Sequence, residues 1–183
     1  MKQWIIKNLS GGKVLLLFVL ANIVLAVMLM ITIPKTMAYA NGMELLDVMP
    51  TGYSADYIRA LFEALGQEGR AVYLYNQIPI DMFYPFLFGL SYCLITGYFL
   101  NKLGKINTGL FYLCFLPIMA GLADYMENIT IISMLYSYPE LNQFSAAAAN
   151  IFTITKSAIS TVYFCTLMII MVVFAFKKRT ISS

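Results

Sequence analysis

The chain contains no histidine in 183 residues. Histidine is the commonest ligand for haem, zinc and di-iron chemistry and the usual base of a serine hydrolase, so neither a metal-dependent centre nor a Ser-His mechanism is expected. No GxSxG elbow, HExxH pair or P-loop occurs either, and we expect no bound metal and no cofactor. The three cysteines, Cys93, Cys114 and Cys165, lie far apart within apolar stretches. That placement excludes a loop disulfide and a CxxC redox pair, and with them a quinone-linked thiol oxidoreductase, leaving packing as their reading. Charged residues are scarce at 11% and form no basic face, which excludes a nucleic-acid partner. The single tryptophan is Trp4.

What fills the chain instead is apolar: 61% hydrophobic residues, 15% aromatic, and a mean hydropathy of +0.77. Those values lie outside the range of ordinary soluble domains and identify an integral membrane protein of one domain, residues 1–183, whose first partner is the lipid bilayer. Four segments reach the roughly 20 residues needed to cross a hydrocarbon core of about 30 Å: 14–33, 82–100, 108–136 and 146–176. The fold class expected is therefore all-α, a four-transmembrane-helix bundle. The first segment also has the features of a secretory signal, with basic residues before it and Ala38-Tyr39-Ala40 after it. Its 20-residue apolar run exceeds the usual h-region, so it reads as an uncleaved anchor.

Charge sets the expected orientation. Lys2, Lys7 and Lys13 precede span one, Lys102 and Lys105 occupy the turn between spans two and three, and Lys177, Lys178 and Arg179 follow span four. The positive-inside rule makes that face cytoplasmic, an N-in/C-in arrangement, and all nine acidic residues fall toward the other face. A bacterial cytoplasmic (inner) membrane fits this pattern. Four spans with a long first outer loop resemble the claudins in topology, but the loop carries neither their tryptophan motif nor their paired cysteines.

The outer loop, 34–81, has structure of its own. After Pro50-Thr51-Gly52, Ser54 is placed to cap a short amphipathic helix over 54–66, whose apolar residues Tyr57, Ile58, Leu61, Phe62 and Leu65 recur at helical spacing, and Gly66 is placed to end it. Its apolar face must rest either on the membrane surface or on the outer ends of the spans. Pro79 and Pro85 each remove a backbone donor, so span two should enter the membrane kinked.

Polar residues then gather at one depth. Counting 1.5 Å per residue from Thr108 puts Asp124 and Glu127 about 24 to 29 Å up span three, and the same ruler brings Asp81 on span two and Lys156 on span four to that layer. Gln77, Asp81 and Tyr84 share a face at i, i+4 and i+7; Asp124 and Asn128 share another with Glu127 beside it; Thr153, Lys156, Ser157 and Ser160 make the matching stripe on span four. Arg70 falls about three turns before Asp81.

Ionisable groups in membrane helices mark functional sites most strongly at mid-bilayer and less so near the interface. The expected ligand-binding set is Asp81, Tyr84, Asp124, Glu127, Asn128 and Lys156, with Arg70 and Gln77 in support. Three uses fit it. The first is an outward-facing acidic pocket that binds or transports a lipid-like or cationic small molecule. The second is a membrane-embedded enzyme acting on a lipid or isoprenoid, with Asp124 or Glu127 as general acid/base and hence the catalytic candidates. The third is a structural or accessory subunit whose ion pairs only set helix packing. Four helices without an internal repeat are few for alternating access, so transport would call for a homo-oligomer or a partner membrane protein. A cavity of about 300 Å³ reaching the carboxylates separates the first two uses from the third.

Overall fold

The computed structural model describes residues 2–182, with side chains described through residue 177. The side chains of Lys178 and Arg179, counted above in the basic flank, lie outside the described residues. In chain order the elements are α1 (Lys2–Lys7), α2 (Gly11–Val27), a π-helical turn (Met28–Thr32), α3 (Ile33–Met37), a 3-10 turn (Leu46–Val48), α4 (Ala55–Val72), a second π-helical turn (Tyr73–Gln77), α5 (Ile78–Lys102), a 3-10 segment (Gly109–Phe115), α6 (Leu116–Ser137) and α7 (Gln143–Ser182). No strand occurs among the described residues. Four of the helical runs are long and apolar enough to cross a membrane: Gly11–Met37, Ala55–Lys102, Gly109–Ser137 and Gln143–Lys177.

The second run is far longer than the sequence suggested. Ser54 does cap its start, accepting from the Tyr57 backbone N–H at 3.1 Å. Gly66 does not end the helix as expected. Its φ of 61° and ψ of −173° break the hydrogen-bond ladder for one residue, and helix resumes at once in a new direction. Glycine pays no Cβ penalty in that conformation, and the residues after it favour helix, so a helix-ending signal works here as a hinge between two helical halves.

The apolar face of α4 settles against the spans. Ile58, Leu61, Phe62 and Leu65 are buried in one cluster with Ile131, Met134 and Leu135 of α6 and Ala146 and Ala149 of α7. Of the two supports open to this helix, the ends of the membrane-length helices provide it. Arg70 stabilises the same corner, donating to the Phe62 carbonyl at 2.7 Å and lying 4.1 Å from the Tyr138 ring.

Proline explains the irregular backbone. Each π turn ends two residues before a proline, Thr32 before Pro34 and Gln77 before Pro79. A proline in a helix lacks an N–H and crowds the carbonyl four residues back, and the widened turn accommodates both defects. The two π turns pack against each other, with the Thr32 hydroxyl bonded to the Gln77 side-chain oxygen. Pro85 has no such turn. The carbonyl its missing N–H would have bonded is that of Asp81, and Asn128 Nδ2 on α6 donates to it instead at 3.3 Å.

Along the bundle α2 packs on α5, α5 on α6, and α6 on α7. The α5–α6 approach is close because a Cβ on Gly121 would sit 2.9 Å from the Pro85 carbonyl oxygen. No comparable contact joins α2 to α7, which leaves a seam between the first and last long helices. At the end of the bundle that carries the chain termini, α1 tucks Ile5 under α5 against Gly97. Lysines collect there: Lys2 lies 5.4 Å from the Phe111 ring centre, and Lys177 donates to the Leu103 carbonyl at 3.1 Å. The acidic cluster lies at the other end.

Candidate functional site

Lys156 is the hub of the cluster. Its ammonium lies 3.1 Å from Asp124 Oδ1, contacts Glu127 Oε2, and donates to the Asp47 carbonyl at 3.3 Å. An ammonium has three N–H donors, and three acceptors surround this one. Glu127 is fully buried; its other oxygen accepts from Thr153 Oγ1 at 2.5 Å, and that hydroxyl lies 3.0 Å from the Tyr53 hydroxyl. Burial pushes the Tyr53 phenol well above its ordinary range, so it remains a neutral hydroxyl over the triad.

Asp47 closes the cluster from the loop. Its backbone belongs to the short 3-10 turn, and its carboxylate accepts from the Tyr73 hydroxyl at 2.7 Å and from Gln77 Nε2 at 2.9 Å. Tyr73 and Gln77 belong to the second π turn, so the proline-driven irregularity supplies the donors that hold the loop carboxylate. The loop is fastened again at Tyr53, whose N–H donates to Asn150 Oδ1 at 2.8 Å.

Glu127 Oε2, Asn128 Oδ1 and Asp81 Oδ2 are all buried without a hydrogen-bond partner, but Glu127 has its ion pair with Lys156, and of the three residues Asp81 is the one that lines a cavity. Asp81 is 3% exposed. Leaving a buried polar atom unpaired costs about 1–3 kcal/mol, more when it is charged. The side chain lines a cavity of about 360 Å³ together with Asp47, Asp124, Lys156, Tyr84 and Ser160. Aliphatic and aromatic side chains complete the wall, among them Leu25, Met28 and Ile33 from the first span and Phe88 and Phe164 from α5 and α7.

The expected site residues therefore divide. Asp81, Tyr84, Asp124 and Lys156 reach the cavity. Glu127 and Asn128 are fully buried beside it and do not line it: the first pairs with Lys156, the second repairs the Pro85 defect. Gln77 orients Asp47 from behind. Arg70 is not part of the cluster, because the resumed helix after Gly66 directs it toward Phe62 and Tyr138.

Asp47, Tyr53 and Tyr73 were missed by sequence reasoning. Tyr73 stands four residues before Gln77 and extends the stripe of Gln77, Asp81 and Tyr84, a signal that could have found it; Asp47 and Tyr53 belong to no such stripe, and the return of their loop over the bundle depends on left-handed turns at Asn41, Gly42 and Gly52, which helical periodicity cannot register. Of the three cysteines expected to serve packing, Cys93 and Cys114 are buried free thiols and Cys165 is an exposed one. Cys93 and Cys114, distant in sequence, belong to one buried apolar cluster of α5 and the 3-10 segment.

Both the cavity and the ion pairs that were to discriminate among the three uses are present together. Comparison with known proteins gives no match to a family model, a curated protein or a solved structure.

Proposed function

We propose that the protein is a membrane-embedded binding protein, which would transport its ligand only within a larger assembly, and whose acidic pocket at the outer end of the bundle receives the cationic or polar end of a lipid-like small molecule. In this reading the cluster has two parts. Lys156, Asp124 and Glu127 form a self-satisfied ion-paired support, and Asp81, with Asp47 beside it, is the group that meets the ligand.

The observation that carries the proposal is that the Asp81 side chain lines a 360 Å³ cavity and has a buried oxygen, Oδ2, that no protein donor reaches. A buried carboxylate oxygen that no protein donor satisfies is a standing acceptor for a donor from outside. An anionic ligand is disfavoured, since the three acceptors around Lys156 leave it no donor for a phosphate or carboxylate. The enzymatic alternative has thinner support: Glu127 does not line the cavity, and Asp124 Oδ1 is engaged by Lys156.

The test is thermal unfolding of the full chain in lipid nanodiscs with butylammonium, ethanolammonium or acetate added. A rise in Tm with the ammonium probes in the native chain, absent with acetate and absent in Asp81→Asn, supports the reading. No shift with either ammonium, or an equal shift in Asp81→Asn, overturns it.

A further inference from the structure

A second cavity shares a wall with the acidic one. It measures about 500 Å³, lies in the other half of the α2–α7 seam, and is lined by Val14, Phe18, Ile95, Leu167 and Met171 among others, with no charged residue in its wall. Phe164 borders both cavities. The three helices that build them each present one continuous stripe. On α7 it runs Ser157, Ser160, Phe164, Leu167, Met171; on α5 it runs Asp81, Tyr84, Phe88, Tyr92, Phe99; on the first span it runs back from Met28 and Leu25 to Phe18, Val14 and Gly11. All recur at helical spacing. The α7 stripe grades from hydroxylated to aromatic to aliphatic; the α5 stripe passes from the Asp81 carboxyl to aromatic residues, with Tyr92 and Tyr98 carrying two hydroxyls into the wall of the second cavity.

A packing interface has no need of such a gradient, and α2 and α7 do not pack against each other along it. An aromatic group, Phe18, Phe88, Tyr92 and Phe164, stands where polar gives way to apolar, with Phe18 to Tyr92 ring centres 5.9 Å apart and Tyr92 to Phe164 5.5 Å. From Lys156 to Met171 the seam extends about 22 Å, longer than one leaflet of about 15 Å.

We infer that the α2–α7 seam is the tail site and lateral access route for a single-chain, long-chain ammonium amphiphile, whose N–H donors meet Asp81 while its hydrocarbon lies along the graded stripe past Phe164. The inference rests on the head-group reading above and adds the tail. The class follows from complementarity: Asp81 Oδ2 needs a hydrogen-bond donor, which a primary or secondary ammonium has and a quaternary one lacks. The apolar chamber needs a chain long enough to pass the aromatic group.

The experiment uses the full chain in nanodiscs and a primary alkylamine with a photoreactive diazirine at its tail end. Saturable labelling of Val14–Phe18 and Leu167–Met171, competed by dodecylammonium at least tenfold better than by dodecyltrimethylammonium and lost in Asp81→Asn, supports the inference. Met168→Trp fills the chamber from a lipid-exposed position; it should cut that labelling at least fivefold while leaving the Tm shift by butylammonium unchanged. Labelling spread over all lipid-facing helix surfaces without saturation overturns the tail site while leaving the butylammonium response, and so the head-group reading, intact. Absence of both the labelling and the butylammonium response overturns the two together.

Discussion

Replacing Lys156 by methionine removes the one cation from a buried acidic cluster while preserving most of the side chain's volume. The ammonium lies 3.1 Å from Asp124 Oδ1 and touches Glu127 Oε2, with 9% and 0% of the two acidic side chains exposed. At an effective dielectric of 20, a pair at that distance is worth about 5 kcal/mol of gross attraction, most of it offset by the desolvation of both ions. Removing one partner leaves the desolvation cost without the attraction, and such deletions destabilise by about 3–5 kcal/mol. For a chain of this size that corresponds to a fall in Tm on the order of 10 °C. The assay is thermal unfolding of the full chain in detergent, followed by light scattering. The diagnostic partner is the triple variant Lys156→Met, Asp124→Asn, Glu127→Gln, which removes the stranded charges and should recover at least half of the loss. A single variant within 2 °C of the native chain, or a triple variant no more stable than the single, would refute the assignment of these residues to a supporting ion triad.

Other consequences follow from the same geometry. Asn128→Ala should cost about 1–3 kcal/mol in the native chain, by leaving the Asp81 carbonyl without a donor, but much less in a Pro85→Ala background, where the restored N–H takes over; a double-mutant cycle by thermal unfolding reads the difference. Gly52→Ala should destabilise by about 2 kcal/mol or more, because φ is +83° there and the new Cβ would fall 2.1 Å from Asn150 Oδ1; a native Tm would show that the loop is not fastened at this point. Phe62→Ala should lower stability by about 3–5 kcal/mol, as a fully buried ring under α4, whereas a helix lying on the membrane surface would lose little. Asp81→Asn, which replaces a buried carboxyl whose Oδ2 has no partner, should keep or exceed the native Tm; a large fall would place Asp81 among the structural groups.

Helical periodicity and apolar run length carried the sequence a long way. They specified four membrane-length helices, the Ser54 cap and the amphipathic α4, because those features depend on local spacing and on a solvent that forbids unpaired backbone groups. The common depth of Asp81, Asp124, Glu127 and Lys156 was legible for the same reason, since rise per residue is fixed wherever the helix is regular. Asp47 was not legible, because its position depends on a loop whose turns break all periodicity. Nor was Arg70, because one glycine redirected the helix that carries it.

The sequence by itself determined which residues share a helix face and how far along each helix they lie. Only the tertiary structure decided which of the carboxylates are satisfied. Lys156 has three donors, and the packing of α6, α7 and the loop assigns them to Asp124, Glu127 and the Asp47 carbonyl. The packing of α5 beside an open α2–α7 seam leaves Asp81 facing a cavity. Charge and spacing count the groups, but hydrogen bonds reach only about 3 Å, and neighbours at that range are set by how whole helices meet.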